Sequence, residues 1–158
     1  MENVQQKHAG LKAVEWHWFR MAEMQPELLY DLLAFRESIF VVEQTCVYQE
    51  LDGRDKTALH YLGLRDARVI ACLRLLPPTA KETRVRIGRV AVAVDWRKHG
   101  LAASMVRKAI DKARSEHPRA GVFLDAQCYL RAFYESLGFK VCGDEFLEDG
   151  IPHIPMEL

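Results

Sequence analysis

An α+β layered fold, with one mixed, mostly antiparallel central sheet and helices on both of its faces, is what this sequence predicts. Three observations carry that reading. Two β-rich runs, Leu59 to Arg65 and Val69 to Leu76, lie either side of Asp66-Ala67-Arg68 and read as a hairpin. A run from Val85 to Val94 passes through a short turn into a helical pattern that returns to a strand at Val122, the order of a β-α-β crossover. Finally, 49% of the 158 residues are hydrophobic, enough for one well-buried core, while the chain is too short for two ordinary domains.

Residues 1–12 are polar and mixed and read as a tail, leaving 13–158 as a single domain. Val14, Trp16, Trp18 and Arg20 alternate with Glu15, His17 and Phe19 in a short strand that puts both tryptophans on one face. Pro26 suits a first helical turn, and Leu28, Leu29, Leu32, Leu33, Phe35, Ile39 and Phe40 recur at helical spacing, predicting a helix to about Val42. From Glu43 to Lys56 no apolar period is sustained and Asp52-Gly53 marks a turn, so this is a loop. Pro77-Pro78 closes the hairpin. On the next helix, Gly100 to Glu116, the residues Leu101, Met105, Val106, Ala109, Ile110 and Ala113 form one apolar stripe, and Pro118 marks its end. Val122 to Ala126 is a short buried strand, Tyr129 to Leu137 a short helix stopped by Gly138, and Phe139 to Cys142 another strand. Residues 148–153 turn, and Ile154 to Leu158 reads as a last edge strand, where Pro155 is tolerable and pairing with a second copy leaves a homodimer open.

Charge and cysteine usage exclude several function classes. Lys plus Arg equals Asp plus Glu at 22 each, so no overall field favours nucleic acid or an anionic membrane. The basic residues Arg107, Lys108, Lys112 and Arg114 are interleaved with Asp111 and Glu116, which argues against a nucleic-acid-binding helix. Apolar runs are strand-sized and the N-terminus lacks a signal-peptide core, so a soluble, cytoplasmic protein is expected. Cys46, Cys72, Cys128 and Cys142 form no C-x-x-C pair; they read as reduced thiols, and no metal site is expected.

Chemistry concentrates at Arg97-Lys98-His99-Gly100-Leu101-Ala102, where a strand feeds a helix. A helix start exposes unpaired backbone N–H groups, which with the helix dipole and two local cations attract phosphate. A dinucleotide fold would carry G-x-G-x-x-G in its first β-α turn, whereas this turn follows several strands.

With the later Phe133-Tyr134-Glu135-Ser136-Leu137-Gly138-Phe139, these residues resemble the GNAT superfamily of N-acetyltransferases, whose acyl-CoA signature is R/Q-x-x-G-x-G/A. Phe40-Val41-Val42-Glu43-Gln44, Asp52-Gly53-x-Asp55 followed by His60, Ile87-Gly88-Arg89-Val90, Ala126-Gln127 and Glu148 to His153 resemble its ElaA-like family, over roughly residues 14–158. Ala102 stands where many relatives have a second Gly, so the backbone there cannot need a positive φ.

The resemblance implies an acetyl-CoA-dependent N-acetyltransferase that moves an acetyl group directly to an amine in a ternary complex. The acceptor would be a small-molecule amine, a peptide N-terminus or a lysine. It implies that the amides from Lys98 through His99, Gly100, Leu101 and Ala102 to Ala103, with Arg97, seat the CoA diphosphate. The main chain of Val90, Ala91 and Val92 would pair with the pantetheine arm. Gln127 would either bond the pantetheine amides or cap the following helix. Tyr134 resembles the tyrosine that protonates the departing thiolate; an ordinary phenol titrates at about 10 and a thiol at about 8.5, so proton transfer requires that the two be held close. Without the resemblance, Tyr134 is an amphipathic residue packed on a strand.

For the base, Glu43 and His153 lead. Glu43 ends an apolar run and is either functional or a solvated cap, and His153 is either a base near neutral pH or a structural hydrogen bonder. Asp52, Asp55, His60 and Asp149 are the further titratable residues available to the acceptor. Arg74 and Arg89 interrupt apolar strands; they either pair with Glu43 or Asp52 in a structural network or hold an acidic group on the substrate. A different class of function is also open, a catalytically weak CoA-binding regulatory or interaction module, against which Tyr134 and the loop carboxylates argue.

Overall fold

The computed structural model describes residues 14–158, so the tail assigned to residues 1–12 lies outside the described residues. Eight strands form one sheet in the order β1-β2-β3-β4-β5-β8-β6, with β7 also paired to β8. The strands are β1 (Glu15–Arg20), β2 (Leu59–Arg65), β3 (Arg68–Leu76), β4 (Val85–Val92), β5 (Val122–Gln127), β6 (Lys140–Val141), β7 (Phe146–Glu148) and β8 (Ile151–Glu157). Every pairing is antiparallel except β4 with β5. Three α-helices lie among the described residues: α1 (Pro26–Glu37), α2 (Leu101–Glu116) and α3 (Arg131–Glu135).

Strand alternation splits the core in two. On one face Leu59, Tyr61, Ala71, Leu73, Leu75, Val85, Ile87, Leu124 and Ala126 meet the stripe of α2, namely Leu101, Met105, Val106, Ala109, Ile110 and Ala113. On the other, Leu62, Cys72 and Ala91 meet Leu32 and Ile39 from the α1 segment. Trp16 and Trp18 both stack on Tyr61, with ring centroids 5.1 and 4.3 Å away. Gly63 lets Trp16 lie flat on the strand, since a Cβ there would come within 2.8 Å of its ring.

Three departures from the sequence reading bear on function. The expected helix to Val42 is α-helical only to Glu37 and finishes as a π-helical stretch, Ser38–Glu43. Widened turns of this kind are frequent at functional sites. Strand β4 carries a bulge opposite Leu73, where the register with β3 shifts between Cys72 and Arg74 and Arg89 takes φ 52°. The extra residue turns Arg89 off the face shared by Ile87, Val90 and Val92 and onto the α1 side.

The third departure is a correction. The last strand is not an edge: β8 lies between β5 and the β6/β7 pair, so it is not free to pair with a second chain. The segment read as a turn, residues 148–153, is instead a tight hairpin around Asp149-Gly150, with φ 50° and 79°. Two positive φ angles in succession match the twist of flanking strands, and Asp-Gly is the dipeptide that tolerates them.

Candidate active site

Only Val85 opposite Val122 and Arg86 opposite Phe123 join β4 to β5. Beyond them the two strands part, and a cleft of ≈ 620 Å³ opens between them, lined by residues of both. Because Ile87, Val90, Val92, Leu124 and Ala126 belong to the α2 core, alternation puts Arg86, Gly88, Asp125 and Gln127 on the α1 side. His153, opposite Gln127 on β8, is on that side too, since Ile154 and Met156 point to the α2 core. The cleft therefore passes through the sheet, with α2 and α3 at one mouth and a charged wall at the other.

At the first mouth, Tyr134 and Ala102 line the cleft. Tyr134 is nearly buried, edge-on to Phe133 and Phe139 at 4.9 and 5.9 Å. Burial pushes its hydroxyl well above the usual phenol range, so it holds its proton at neutral pH. Before α2 the chain makes a left-handed double step, Lys98 at φ 63° and Gly100 at 78°. A Cβ on Gly100 would meet nothing within 4 Å, so the ground over the turn is open to a ligand. Ala102 falls in the first turn of α2 and needs no positive φ. The side chain of Leu101 is buried in the core, leaving only its amide for a ligand. Lys98, His99, Gly100 and Ala103 lie outside the cleft lining, whereas Val90, Ala91, Val92, Arg97 and Gln127 are in it.

Arg97 is already engaged. Its Nε donates to the Val92 carbonyl at 2.9 Å, and Nη1 and Nη2 donate to the two oxygens of Glu43 at 2.7 and 2.9 Å. This bidentate bond from Arg97 holds the Glu43 carboxyl below its ordinary range, which makes Glu43 a weak proton acceptor. Gln127 does not cap a helix with its side chain; it exchanges two amide hydrogen bonds with Gln44, at 3.4 and 3.2 Å, tying β5 to the end of the α1 segment. The nearby Cys46 thiol donates to the Asp149 carbonyl at 3.4 Å, joining the same segment to the β7–β8 turn.

The charged wall is a network that joins three guanidiniums to three carboxylates. Arg36 donates to Glu50 at 2.8 and 3.0 Å and to Asp55 at 2.6 and 3.2 Å. Arg74 bonds Asp52 through two nitrogens and Asp55 at 2.9 Å. Arg89 donates to Glu50 Oε1 at 2.7 Å and to its carbonyl at 3.0 Å, and approaches Asp52 at 3.6 Å. Burial works against ionisation of Asp52 and Asp55, yet their arginine partners win and hold both carboxyls low. The pairing of Arg74 with Asp52 is as expected; Glu43 takes no part, and Arg36 and Glu50 were not foreseen.

Asp55 and His60 are not part of the cleft lining. His60 is 2% exposed, faces the Asp55 carbonyl through Nε2 at 3.3 Å, and burial pushes its pKa down, so it stands as a neutral strut under the network. Asp52, Arg74, Asp149 and His153 do line the cleft. The His153 Nδ1 hydrogen-bonds the Ile151 carbonyl at 2.8 Å. Since a carbonyl only accepts, Nδ1 carries a proton, and Nε2, 3.7 Å from Glu148, is the nitrogen left for an acceptor. Phe146 stacks on the imidazole at 5.8 Å.

The family model of the acetyltransferase (GNAT) domain matches residues 33–158, which span the splayed strand pair, its cleft and the left-handed turn before α2. The chain belongs to the GNAT superfamily. Within it the chain is similar to ElaA of Escherichia coli, at 37% identity over 145 residues, covering 90% of this chain and 95% of that one. A UPF0039 protein of Schizosaccharomyces pombe is 42% identical over 133 residues, 82% of this chain and 87% of its own length. Among solved structures, an acyl-CoA N-acyltransferase from Pseudomonas aeruginosa superposes with TM-score 0.86 at 38% identity, covering 91% of this chain and 98% of that one. The E. coli ElaA structure gives 0.84 at 35% over the same shares. The GNAT and ElaA-like resemblance read from the motifs therefore holds, as does the fold class. Among the described residues no group of three or more His, Cys, Asp or Glu is arranged for a metal ion, and no helix is long and apolar enough to cross a membrane.

Proposed function

We propose that this GNAT acyltransferase is an acetyl-CoA-dependent N-acetyltransferase that transfers directly to an amine in a ternary complex. One observation carries the reading: the cleft pierces the sheet, so a cofactor and an acceptor can approach one point from opposite faces. The fit to the cofactor rests on the open ground over Gly100 and on the stretches of β4 and β5 that face each other unpaired along the cleft. Amides of Lys98 to Ala103 would take the diphosphate, and the main chain of Val90 to Val92 the pantetheine arm. When bound, acetyl-CoA supplies an activated thioester.

The chain's own groups handle two protons. His153 Nε2 accepts the proton that the acceptor nitrogen loses as the C–N bond forms, with Glu148 beside it to steady the imidazolium. Tyr134 gives its hydroxyl proton to the sulfur as the C–S bond breaks. Glu43, tied to Arg97, is the poorer base. Asp52, Arg74 and Asp149 are kept as acceptor-side residues, while the burial of Asp55 and His60 suits support of that wall. A covalent acyl-enzyme is disfavoured at Cys72, whose thiol burial pushes up to about 12 and whose Sγ donates to the Arg89 carbonyl at 3.5 Å.

The test is thiol release from acetyl-CoA with a panel of amines and peptide N-termini, with the N-acetyl product identified by mass. Measurable CoA binding with no transfer to any member would support the regulatory module instead.

A further inference from the structure

Resting on the transferase reading above, we infer that the acceptor carries an anionic group, and that Arg54 and Arg86 receive it at the charged mouth of the cleft. The wall there has more cation than it can neutralise. Arg36, Arg74 and Arg89 are matched by Glu50, Asp52 and Asp55, and Arg86 bonds Asp125 through Nη2. Arg54 also lines the cleft, and its guanidinium makes no hydrogen bond or ion pair among the described residues. Its surroundings are cationic: burial, then Arg86 and Arg74, and further Arg89, depress its pKa, against the single helpful charge of Asp52. Arg74 adds an Nε that is buried without a partner among the described residues. A guanidinium held among others at the mouth of a cleft is stabilised when an anion joins them.

Space is provided as well. Gly88, between Arg86 and Arg89 on the cleft wall, has nothing within 4 Å of where a Cβ would be, so a ligand can lie directly on the backbone of β4. The other end of this mouth is acidic: among the described residues Asp149 makes no side-chain ion pair, and Glu148 makes one, with His153. Asp125, which marks the basic end, and Gln127, which faces His153, are two positions apart on β5 and on one face, a separation on the order of 7 Å. An acceptor with its amine beside His153 and its acid toward Arg86 and Arg54 would be a short zwitterionic molecule, such as an ω-amino carboxylate or an aminoalkyl phosphate.

The experiment uses the full chain with acetyl-CoA and matched acceptors: ω-amino carboxylates of increasing length, each against its own carboxamide, and phosphoethanolamine against ethanolamine. The expected result is a kcat/KM for the anionic member of the best pair higher by roughly tenfold to a hundredfold, expressed mainly in KM. The pair that shows it distinguishes carboxylate from phosphate. In Arg54→Gln the ratio within that pair collapses toward one, and in Arg54→Glu it inverts. Arg54 is exposed, so these variants fold, which acetyl-CoA binding verifies. Transfer to the neutral members at equal or better efficiency, or an undiminished ratio in Arg54→Glu, overturns this inference while leaving the transferase intact. No transfer to any member while another amine or peptide N-terminus is acetylated overturns this inference alone; no transfer to any amine or peptide despite CoA binding overturns the transferase reading, and this inference with it.

Discussion

Replacing Arg36 with methionine tests whether the charged network holds the acceptor wall together. Arg36 is 1% exposed and is the only cation of the three with hydrogen bonds to both Glu50 and Asp55. Without it, two arginines face three carboxylates. Removing one member of a buried ion pair costs about 3–5 kcal/mol, because a charge is left buried and uncompensated. Here Glu50 keeps Arg89 at 2.7 Å and Asp55 keeps Arg74 at 2.9 Å, so the lower end applies, about 3 kcal/mol. For a domain of this size that lowers Tm by about 6–12 °C. Thermal unfolding followed by circular dichroism, with the urea midpoint as a second measure, reads the change. Adding Glu50→Gln to Arg36→Met removes the surplus negative charge and should recover part of the loss. A drop of less than about 2 °C for Arg36→Met, or a further loss in the double variant, would refute the reasoning.

Other expected outcomes follow from the same geometry. Tyr134→Phe keeps the ring packing and removes one proton; kcat should fall roughly a hundredfold with acetyl-CoA affinity unchanged, and full turnover would remove the proposed role. His153→Gln should lower kcat by roughly a hundredfold while Glu43→Gln leaves it within a few-fold, and the reverse pattern would move the base to Glu43. Stability should fall with pH in two stages. His60 has a folded pKa below its ordinary 6.5, so its contribution is complete above that value and lost as pH drops beneath it. Asp52 and Asp55 are held below 3.8, so their share persists above that value and is lost in stronger acid. Melting temperatures of the parent and His60→Gln across this range should differ only in the first stage.

What the residues disclosed in advance is what local periodicity can disclose. The stripe of α2, the β2–β3 hairpin and the Gly100 turn before α2 repeat or punctuate at short range, and each is found within a residue or two of its expected bounds. Arg36 shows the limit. It sits one turn after Leu32 on a helix face that otherwise looks apolar, and its partners lie 14 and 19 positions away across an aperiodic loop. A lone cation in an apolar stripe was the available signal, but not its partners. The bulge at Arg89 likewise depends on how β3 and β4 register, which no window of one strand contains. Strand β8 was misplaced for a different reason. β7 is only three exposed residues long and carries little pattern, although the Asp149-Gly150 dipeptide between the two strands was a hairpin signal in plain view.

The parting of β4 and β5 has a consequence beyond catalysis. Unpaired strand edges invite other chains to add to a sheet, and proteins usually blunt them at the margins with charge, proline or short length. Here the vacant edges are in the middle of the sheet, at the bottom of a cleft flanked by Tyr134 and Leu130. The unpaired backbone is thus withdrawn from the sheet margins, where a second chain would most readily add a strand.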